Sequence, residues 1–459
     1  MTSRTQRFAT GFLGWAASVF SRIEIVGGPV PPGPVLVTPN HLNALMDPLV
    51  IFRVAGRSTS PLAKAPLFDQ RILGGILRAL GGLPVYRRQD DPSQMGRNEE
   101  TFRGAIDALH RGAAIQIFPE GKSHSEPSLE TLRTGAARIA LRAEAEREGG
   151  LGVQIVPIGL TYEGKQRFRG RVLAEIGAPI AVAPWMARYH EDEVSAAKEL
   201  TEEIARRLRE VTLNLEHAED LGLLVAAARL YTREKGLHRW REREAMADHV
   251  PRLRRLAGHL EWLRAQDLPR HDRLAAAVRE YEHIARFAGA REGDVPPGYR
   301  ATAVARYLVR EGGALLLGLP LALIGTVVWY PTWLAPQWVV PRIGPNPDPV
   351  ATYKLATGMF VAPITVAAVV VAGWWIWGWV GALLCGIAAP ILGLIALSWR
   401  ERWSRVSEDV GLFFAILLRP RLRARVAERR RELVAEFDSI LEERGMEPGD
   451  PAGEQPAVD

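Results

Sequence analysis

A histidine and a carboxylate that stand six positions apart could together activate an alcohol. They lie in the segment VLVTPNHLNALMDPL, residues 35–49, where His41 follows a short β-rich run and Asp47 stands near the start of an apolar, helical stretch. A histidine removes a proton from an alcohol near neutral pH, while a carboxylate fixes its tautomer and stabilises the imidazolium that forms. The pair therefore predicts a general base, His41, that is supported by Asp47.

Polar residues also follow other β-rich runs, and they could bind an anion. Lys64 ends one run, Arg87 ends GGLPVYR, and Glu120 with Gly121 follows AIQIFP. In open α/β sheets the carboxyl ends of the strands form the edge where ligands bind. Arginine offers a phosphate two parallel hydrogen bonds, and lysine offers a point charge. A lone histidine in a loop is usually structural, but this combination predicts an alcohol-activating base beside an anion site.

These residues need a sheet to position them, and the sequence predicts one. Short β-rich runs alternate with helical runs from Arg22 to about Leu215, which is the pattern of an α/β layer fold. The prediction is a mixed sheet flanked by helices, with strands at 23–26, 35–38, 61–64, 83–86, 114–118, 154–160 and 172–176, and helices at 69–80, 98–111 and 134–147.

The N-terminal segment predicts a helix that lies in a membrane interface. Apolar residues recur there at three- and four-residue spacing, as on one helix face: Phe8, Phe12, Trp15, Val19 and Ile23. Two arginines precede them, but no small-residue cleavage pattern follows, which argues against a removable signal. The alternative is an amphipathic helix that packs on its own protein.

Apolar segments after Gly313 predict a membrane anchor. Residues 314–330 would form a helix of about 25 Å, and residues 359–397 carry no charge and are long enough for a hairpin with tryptophans at its turn. The arginines after residue 400 should remain in the cytoplasm. That favours an even number of crossings, so one apolar segment is expected to enter the bilayer without crossing it.

The sequence therefore divides into six consecutive regions. They are the interfacial helix with the first strand (1–27), the catalytic domain (28–215), a helical module (216–311), the membrane segments (312–400), a basic cytoplasmic helix (401–445) and a disordered tail (446–459).

The charge balance and the cysteine content exclude several classes of protein. A net charge of +6 suits nucleic acid or an anionic membrane, but the arginines concentrate beside apolar segments. We therefore predict the lipid bilayer as a partner and no nucleic acid. Cys385 is the only cysteine, and the ten histidines lack metal-ligand spacing, so no metal site is predicted. A phosphate-binding P-loop fails because Gln116 stands where its first glycine is required.

Four blocks in the order NHLNALMD, GGLPVYR, FPEG and VPIGL resemble those of the glycerol-phosphate acyltransferase superfamily. The resemblance implies that His41 deprotonates the acceptor hydroxyl and that Asp47 supports it. It further implies a substrate-binding set, which comprises Asn40, Lys64, Arg87, Glu120 and Gly121. The acyl group would pass directly from an acyl thioester, acyl-CoA or acyl-ACP, so no cofactor is expected.

Two blocks depart from the usual pattern of that superfamily. Five residues instead of four separate His41 from Asp47, so one residue must bulge out, and the Asp47 contact depends on how it does so. The third block reads FPEGKSHS and lacks the usual arginine. Both departures resemble the fungal-type glycerol-3-phosphate/dihydroxyacetone-phosphate acyltransferases, as do LLVAAARLYTRE at 223–234 and DPVATYKLATGMFVAP at 348–363.

This resemblance implies acylation of glycerol 3-phosphate in phospholipid biosynthesis. The apolar segments, the arginines after residue 400 and the single cysteine predict a membrane location with the catalytic domain facing the cytoplasm. The same base and anion site would also serve lysophosphatidate, so acylation of its second hydroxyl stays an alternative. A membrane-associated module that has kept the fold without the chemistry is the alternative from a different class.

Overall fold

The computed structural model of the chain describes residues 3–86, 96–234, 245–287, 306–344, 350–417 and 420–443. Arg87 and the predicted tail 446–459 lie outside these residues. The chain divides into two compact units. The first comprises residues 1–216, 245–250 and 345–352, and the second comprises residues 217–244, 251–344 and 353–459.

A mixed sheet of eight strands forms the centre of the first unit. The strands are β1 (Ser21–Gly27), β2 (Val35–Pro39), β3 (Thr59–Lys64), β4 (Leu83–Val85), β5 (Ala114–Gln116), β6 (Gln154–Glu163), β7 (Gly170–Ile176) and β8 (Ile180–Ala181). Their order is β1-β7-β6-β2-β5-β3-β4, and β8 pairs with β6. Strands β6, β2, β5, β3 and β4 run parallel, whereas β7 is antiparallel to β6. The predicted α/β class is confirmed, and only β8 lacks a predicted counterpart.

Eight helices flank the sheet within the described part of the first unit. They are α1 (Arg4–Phe20), α2 (Met46–Val54), α3 (Pro66–Asp69), α4 (Arg71–Ala79), α5 (Asn98–His110), α6 (Gly135–Ala145), α7 (Met186–Glu191) and α8 (Glu193–Val211). Apolar residues of α5, α6 and α8 form one core with Leu36, Ile115 and Ile155 of the central strands. The helix predicted at 69–80 corresponds to α4, which begins only at Arg71 because Gln70 is extended (ψ 126°) and separates it from the short helix α3.

Helix α1 exposes the aromatic face that the sequence pattern indicated. The side chains of Phe8, Phe12 and Trp15 are 75%, 44% and 61% exposed, whereas Ala17 on the opposite face is buried. The assignment of Ile23 to this face is wrong, since the chain enters β1 at Ser21 and pairs there with β7. Exposed aromatic rings suit a membrane interface, and that location of α1 stays a prediction.

Helix α1 packs closely against α2. A Cβ atom built at Gly14 would lie 3.0 Å from the backbone nitrogen of Arg53. The two helices can approach only because this position carries no side chain.

The second unit is helical throughout its described residues. Four of its helices lie outside the candidate membrane spans: α9 (Leu221–Glu234), α10 (Met246–Gln266, whose first residues belong to the first unit), α11 (Leu268–Phe287) and α14 (Pro420–Glu443). Arg270 of α11 forms ion pairs of 2.6 Å with Glu436 and 2.7 Å with Glu443 of α14. The C-terminal basic helix therefore packs on the helical module.

Two helices of the second unit are long and apolar enough to cross a membrane: α12 (Gly313–Ile343) and α13 (Val350–Leu417). The backbone of α13 leaves the helical conformation at Trp377 and Gly378, which divides it into two helical arms. The arms lie side by side, since a Cβ atom built at Gly386 would lie 3.5 Å from Cγ2 of Val370, and they form the hairpin that the tryptophan cluster predicted. The indole of Trp329 donates to the Ala389 carbonyl at 2.8 Å and ties α12 to the second arm. The number of true crossings stays a prediction.

Candidate active site

The carboxyl ends of parallel strands gather the predicted site residues at one edge of the sheet. Strand β2 leads into His41, β3 ends at Lys64, and Glu120 follows β5 closely. The register pairs Val37 of β2 with Gln116 of β5, and Gln116 in turn with Pro61 of β3, so His41, Lys64 and Glu120 each follow a paired residue by three or four positions at the same edge. Lys64 is exposed there.

His41, which is partly buried, and Asp47, which is fully buried, form a hydrogen-bonded pair. His41 Nδ1 lies 2.8 Å from Asp47 Oδ2, and the side chains are 13% and 0% exposed. The imidazole also stacks on Phe118, with ring centroids 4.1 Å apart. Because a carboxylate only accepts hydrogen bonds, Nδ1 carries the proton and Nε2 is the basic nitrogen. Among the described residues no hydrogen bond involves Nε2, which leaves it available to an alcohol.

Two further donors fix the carboxylate of Asp47. The Asn43 backbone N–H donates to Oδ2 at 2.7 Å, and the Tyr162 hydroxyl donates to Oδ1 at 2.5 Å. Burial, followed by the charge and hydrogen bond of Asp47, raises the pKa of Tyr162 well above its usual value. The phenol therefore stays a donor at ordinary pH, and it restrains the carboxylate that orients His41.

The extra residue between His41 and Asp47 is accommodated at Ala44. Its φ is +40°, and the Met46 N–H donates to the Asn43 carbonyl at 2.8 Å to close a tight turn. The turn at Ala44 lies between the two residues, and the contact between their side chains is short.

The side chains of Asn40 and Glu120 form hydrogen bonds with backbone groups. The amide of Asn40 donates to the Leu160 carbonyl at 3.1 Å and accepts from the Leu160 N–H at 2.6 Å. Glu120 Oε1 accepts the His41 backbone N–H at 2.7 Å, and Oε2 accepts the Glu130 N–H at 3.0 Å. The predicted substrate contacts of both residues stay predictions, while these bonds fix the ends of the His41 loop.

Gly121 follows Glu120 with a φ of +74°, in the left-handed region that favours glycine. A Cβ atom here would lie 3.4 Å from Cγ of Arg133, and the Gly121 N–H donates to the Phe118 carbonyl at 3.1 Å. A glycine at this position turns the chain sharply beside the buried carboxylate of Glu120.

His124, like Tyr162, is a residue of the site that the sequence did not indicate. It is buried and its Nε2 hydrogen-bonds Glu120 Oε2. That hydrogen bond is the main reason why the pKa of His124 is raised, against the opposing effect of burial. Its position four residues after Glu120 was the available signal.

Within the described residues, no cluster of three His, Cys, Asp or Glu side chains could hold a metal ion. The chemistry that the site itself displays is an oriented imidazole with an available nitrogen. It lies at the strand edge that also carries Lys64.

Comparisons with known proteins agree with this chemistry. Residues 22–161 match the family model of the acyltransferases. Glycerol-3-phosphate O-acyltransferase 2 of Saccharomyces cerevisiae is 37% identical over 135 residues, which are 29% of this chain and 18% of that protein. The 1-acyl-sn-glycerol-3-phosphate acyltransferase of Bacillus subtilis is 27% identical over 158 residues, which are 34% of this chain and 69% of that protein.

The chain therefore spans less than a fifth of the length of the yeast relative. A solved structure, the 1-acyl-sn-glycerophosphate acyltransferase PlsC from Thermotoga maritima, superimposes with a TM-score of 0.32 at 22% identity. The matched region covers 46% of this chain and 83% of the PlsC chain.

Proposed function

We propose that this chain, whose residues 22–161 match the family model of the acyltransferases, transfers a fatty acyl group from an acyl thioester to a hydroxyl of glycerol 3-phosphate. The observation that carries the proposal is the hydrogen-bonded pair of His41 and Asp47, which leaves Nε2 without a described partner at the ligand-binding edge of the sheet. A base with this orientation is what an alcohol nucleophile needs.

The reaction follows from the position of the base. His41 Nε2 takes the proton of the acceptor hydroxyl as its oxygen attacks the thioester carbonyl. The negative charge of Asp47, which stands 2.8 Å from Nδ1, stabilises the imidazolium that forms. The tetrahedral intermediate then expels the thiolate, which takes the proton from His41. The acyl group passes directly to the alcohol, and the thioester, acyl-CoA or acyl-ACP, is a co-substrate.

Cations at the same edge would bind the acceptor's phosphate. Lys64 is exposed at the end of β3 and can supply a point charge. Arg87 follows β4 in the sequence and is proposed as the bidentate ligand. The sharp turn at Gly121 lets a phosphate approach the backbone closely, and the buried Glu120 keeps the His41 loop in place.

A second acceptor, lysophosphatidate, is favoured by the Bacillus subtilis relative, whose name specifies a 1-acylated glycerol phosphate. The yeast relative is named for glycerol 3-phosphate and has the higher identity, which supports the unacylated acceptor. Helices α12 and α13 are compatible with membrane association. We propose that the catalytic unit faces the cytoplasm, where the thioester and glycerol 3-phosphate are present.

The test is an acceptor panel with the purified full-length chain in lipid and one radiolabelled acyl-CoA or acyl-ACP. Glycerol 3-phosphate should give lysophosphatidate, and His41→Ala should lower kcat by about 10²–10⁴-fold. His190→Ala is the matched control, because His190 is exposed on α7.

Product with lysophosphatidate alone would move the proposal to the second acceptor. Near wild-type turnover by His41→Ala, or no transfer to any acceptor by the wild type, would refute it.

A further inference from the structure

The loop between β2 and α2 has a conformation that its own residues disfavour. Ala44 has a φ of +40°, where the Cβ atom of an L-residue crowds the backbone, and such positions are normally taken by glycine, asparagine or aspartate. A residue stays in this conformation when surrounding contacts hold it there. The turn brings the Asn43 N–H to within 2.7 Å of Asp47 Oδ2, so its shape bears directly on the dyad.

The segment after FPEG contacts this loop at two successive residues. The hydroxyl of Ser123 accepts the Ala44 N–H at 3.0 Å. The next residue, His124, donates its backbone N–H to the His41 carbonyl at 3.0 Å. Ser123 thus satisfies the backbone nitrogen of the one residue in the loop that has a positive φ.

Lys165, in the turn between β6 and β7, contacts the loop as well. Its ammonium donates to the Leu42 carbonyl at 3.1 Å and to the Ser125 hydroxyl at 2.6 Å. The Asn43 side-chain amide donates to the Lys165 carbonyl at 3.1 Å, and Asn43 is only 1% exposed. Each residue of 41–44 is therefore tied to one of two other segments of the first unit.

We propose that Ser123 and Lys165 are positioning residues, which hold the left-handed turn at Ala44 so that a His–Asp pair with five intervening residues can close. Asp47 is fixed by helix α2 and by Tyr162, so the loop between the pair is the part that still needs positioning. Without the Ser123 hydroxyl, Ala44 loses the contact that offsets its unfavourable φ. The loop then populates other turns, and the fraction of molecules with a closed dyad falls.

Kinetics of Ser123→Ala test this proposal, which rests on the proposed function for its catalytic readout. We expect kcat to fall about tenfold, because a backbone donor loses its partner, while KM for both substrates changes by less than about twofold. Ser128→Ala is the matched control, since Ser128 lies in the same segment and makes none of these contacts. Lys165→Gln should also lower kcat, without a change in either KM.

Rescue distinguishes a positioning role from a general structural one. Glycine adopts a positive φ without a steric cost, so Ala44→Gly should remove most of the effect of Ser123→Ala. The double variant should reach kcat within about threefold of Ala44→Gly alone, which is a clear departure from additivity. Full additivity of the two substitutions would overturn the proposal.

Chemical modification of His41 tests the loop without any substrate. Diethyl pyrocarbonate should modify His41 several-fold faster in Ser123→Ala than in the wild type or Ser128→Ala, as measured by mass spectrometry of its peptide. Equal rates would overturn the proposal, even if acyl transfer is confirmed. A wild-type chain that acylates no acceptor would refute the proposed function instead, and the modification rates would still decide whether Ser123 holds the loop.

Discussion

Replacement of Tyr162 by phenylalanine should lower the catalytic efficiency of the His41–Asp47 pair while both members of the pair stay unchanged. Asp47 is fully buried and accepts three hydrogen bonds, from His41 Nδ1, the Asn43 N–H and the Tyr162 hydroxyl, at 2.8, 2.7 and 2.5 Å. Among the described residues only the phenol donates to Oδ1. A hydrogen bond to a charged group contributes about 1.5–3 kcal/mol. If that stabilisation is lost in the transition state, kcat falls by about 10–150-fold.

The assay is steady-state kinetics with each substrate varied separately, beside a thermal unfolding curve. Tyr189→Phe on α7 is the matched control. Asp47→Asn sets the lowest kcat expected, because loss of the carboxylate must lower kcat at least as much as loss of one donor to it. The raised pKa of Tyr162 keeps the phenol protonated, so the deficit should be constant between about pH 6 and 9. A kcat within about twofold of the wild type, beside a strongly impaired Asp47→Asn, would refute the orienting role of Tyr162.

Two other predictions concern stability and membrane attachment. The pKa of His124 is raised above its usual value, mainly by the hydrogen bond to Glu120, so its contribution to stability is complete below about pH 6.5 and is lost as the pH rises through the folded-state pKa. The melting temperature should therefore fall between pH 6 and 8, and His124→Gln should flatten this dependence. Equal slopes of melting temperature against pH in the wild type and His124→Gln would contradict this role of His124. A chain that ends at Arg310 should be extracted from membranes more easily than the full chain, and serine at Phe8, Phe12 and Trp15 should release it further, as measured by alkaline extraction. Unchanged extraction would place the anchor elsewhere.

The sequence predicted the sheet and the edge that carries the candidate site, because the fold class and the strand ends have local signatures. β-rich runs that end in His41, Lys64 and Glu120 predict a common edge once the strands are parallel, and β2, β3 and β5 are parallel. Helix periodicity likewise identified the exposed face of α1. It failed at Ile23, because the pairing of β1 with β7 overrides the helical pattern from Ser21 onward.

Tyr162 and the turn at Ala44 could not be predicted in the same way. Tyr162 reaches Asp47 across 115 positions of sequence, and such a contact has no local pattern. The positive φ of Ala44 opposes the preference of alanine, so it follows from contacts with Ser123 and not from the residue itself. Sequence spacing showed that a residue must bulge, while tertiary contacts decided which one.

The pairing of Asn40 with Leu160 also bears on the order in which the fold assembles. Its two hydrogen bonds join residues 120 positions apart, so the loop that carries His41 is secured only after β6 has left the ribosome and docked beside β2. Contacts of such long range form late, because a large loop must close before they are made. A nascent chain that ends before β6 contains both His41 and Asp47 but lacks Tyr162 and Leu160, so the hydrogen bonds that hold Asn40 and Asp47 from β6 form only after the central strands have assembled.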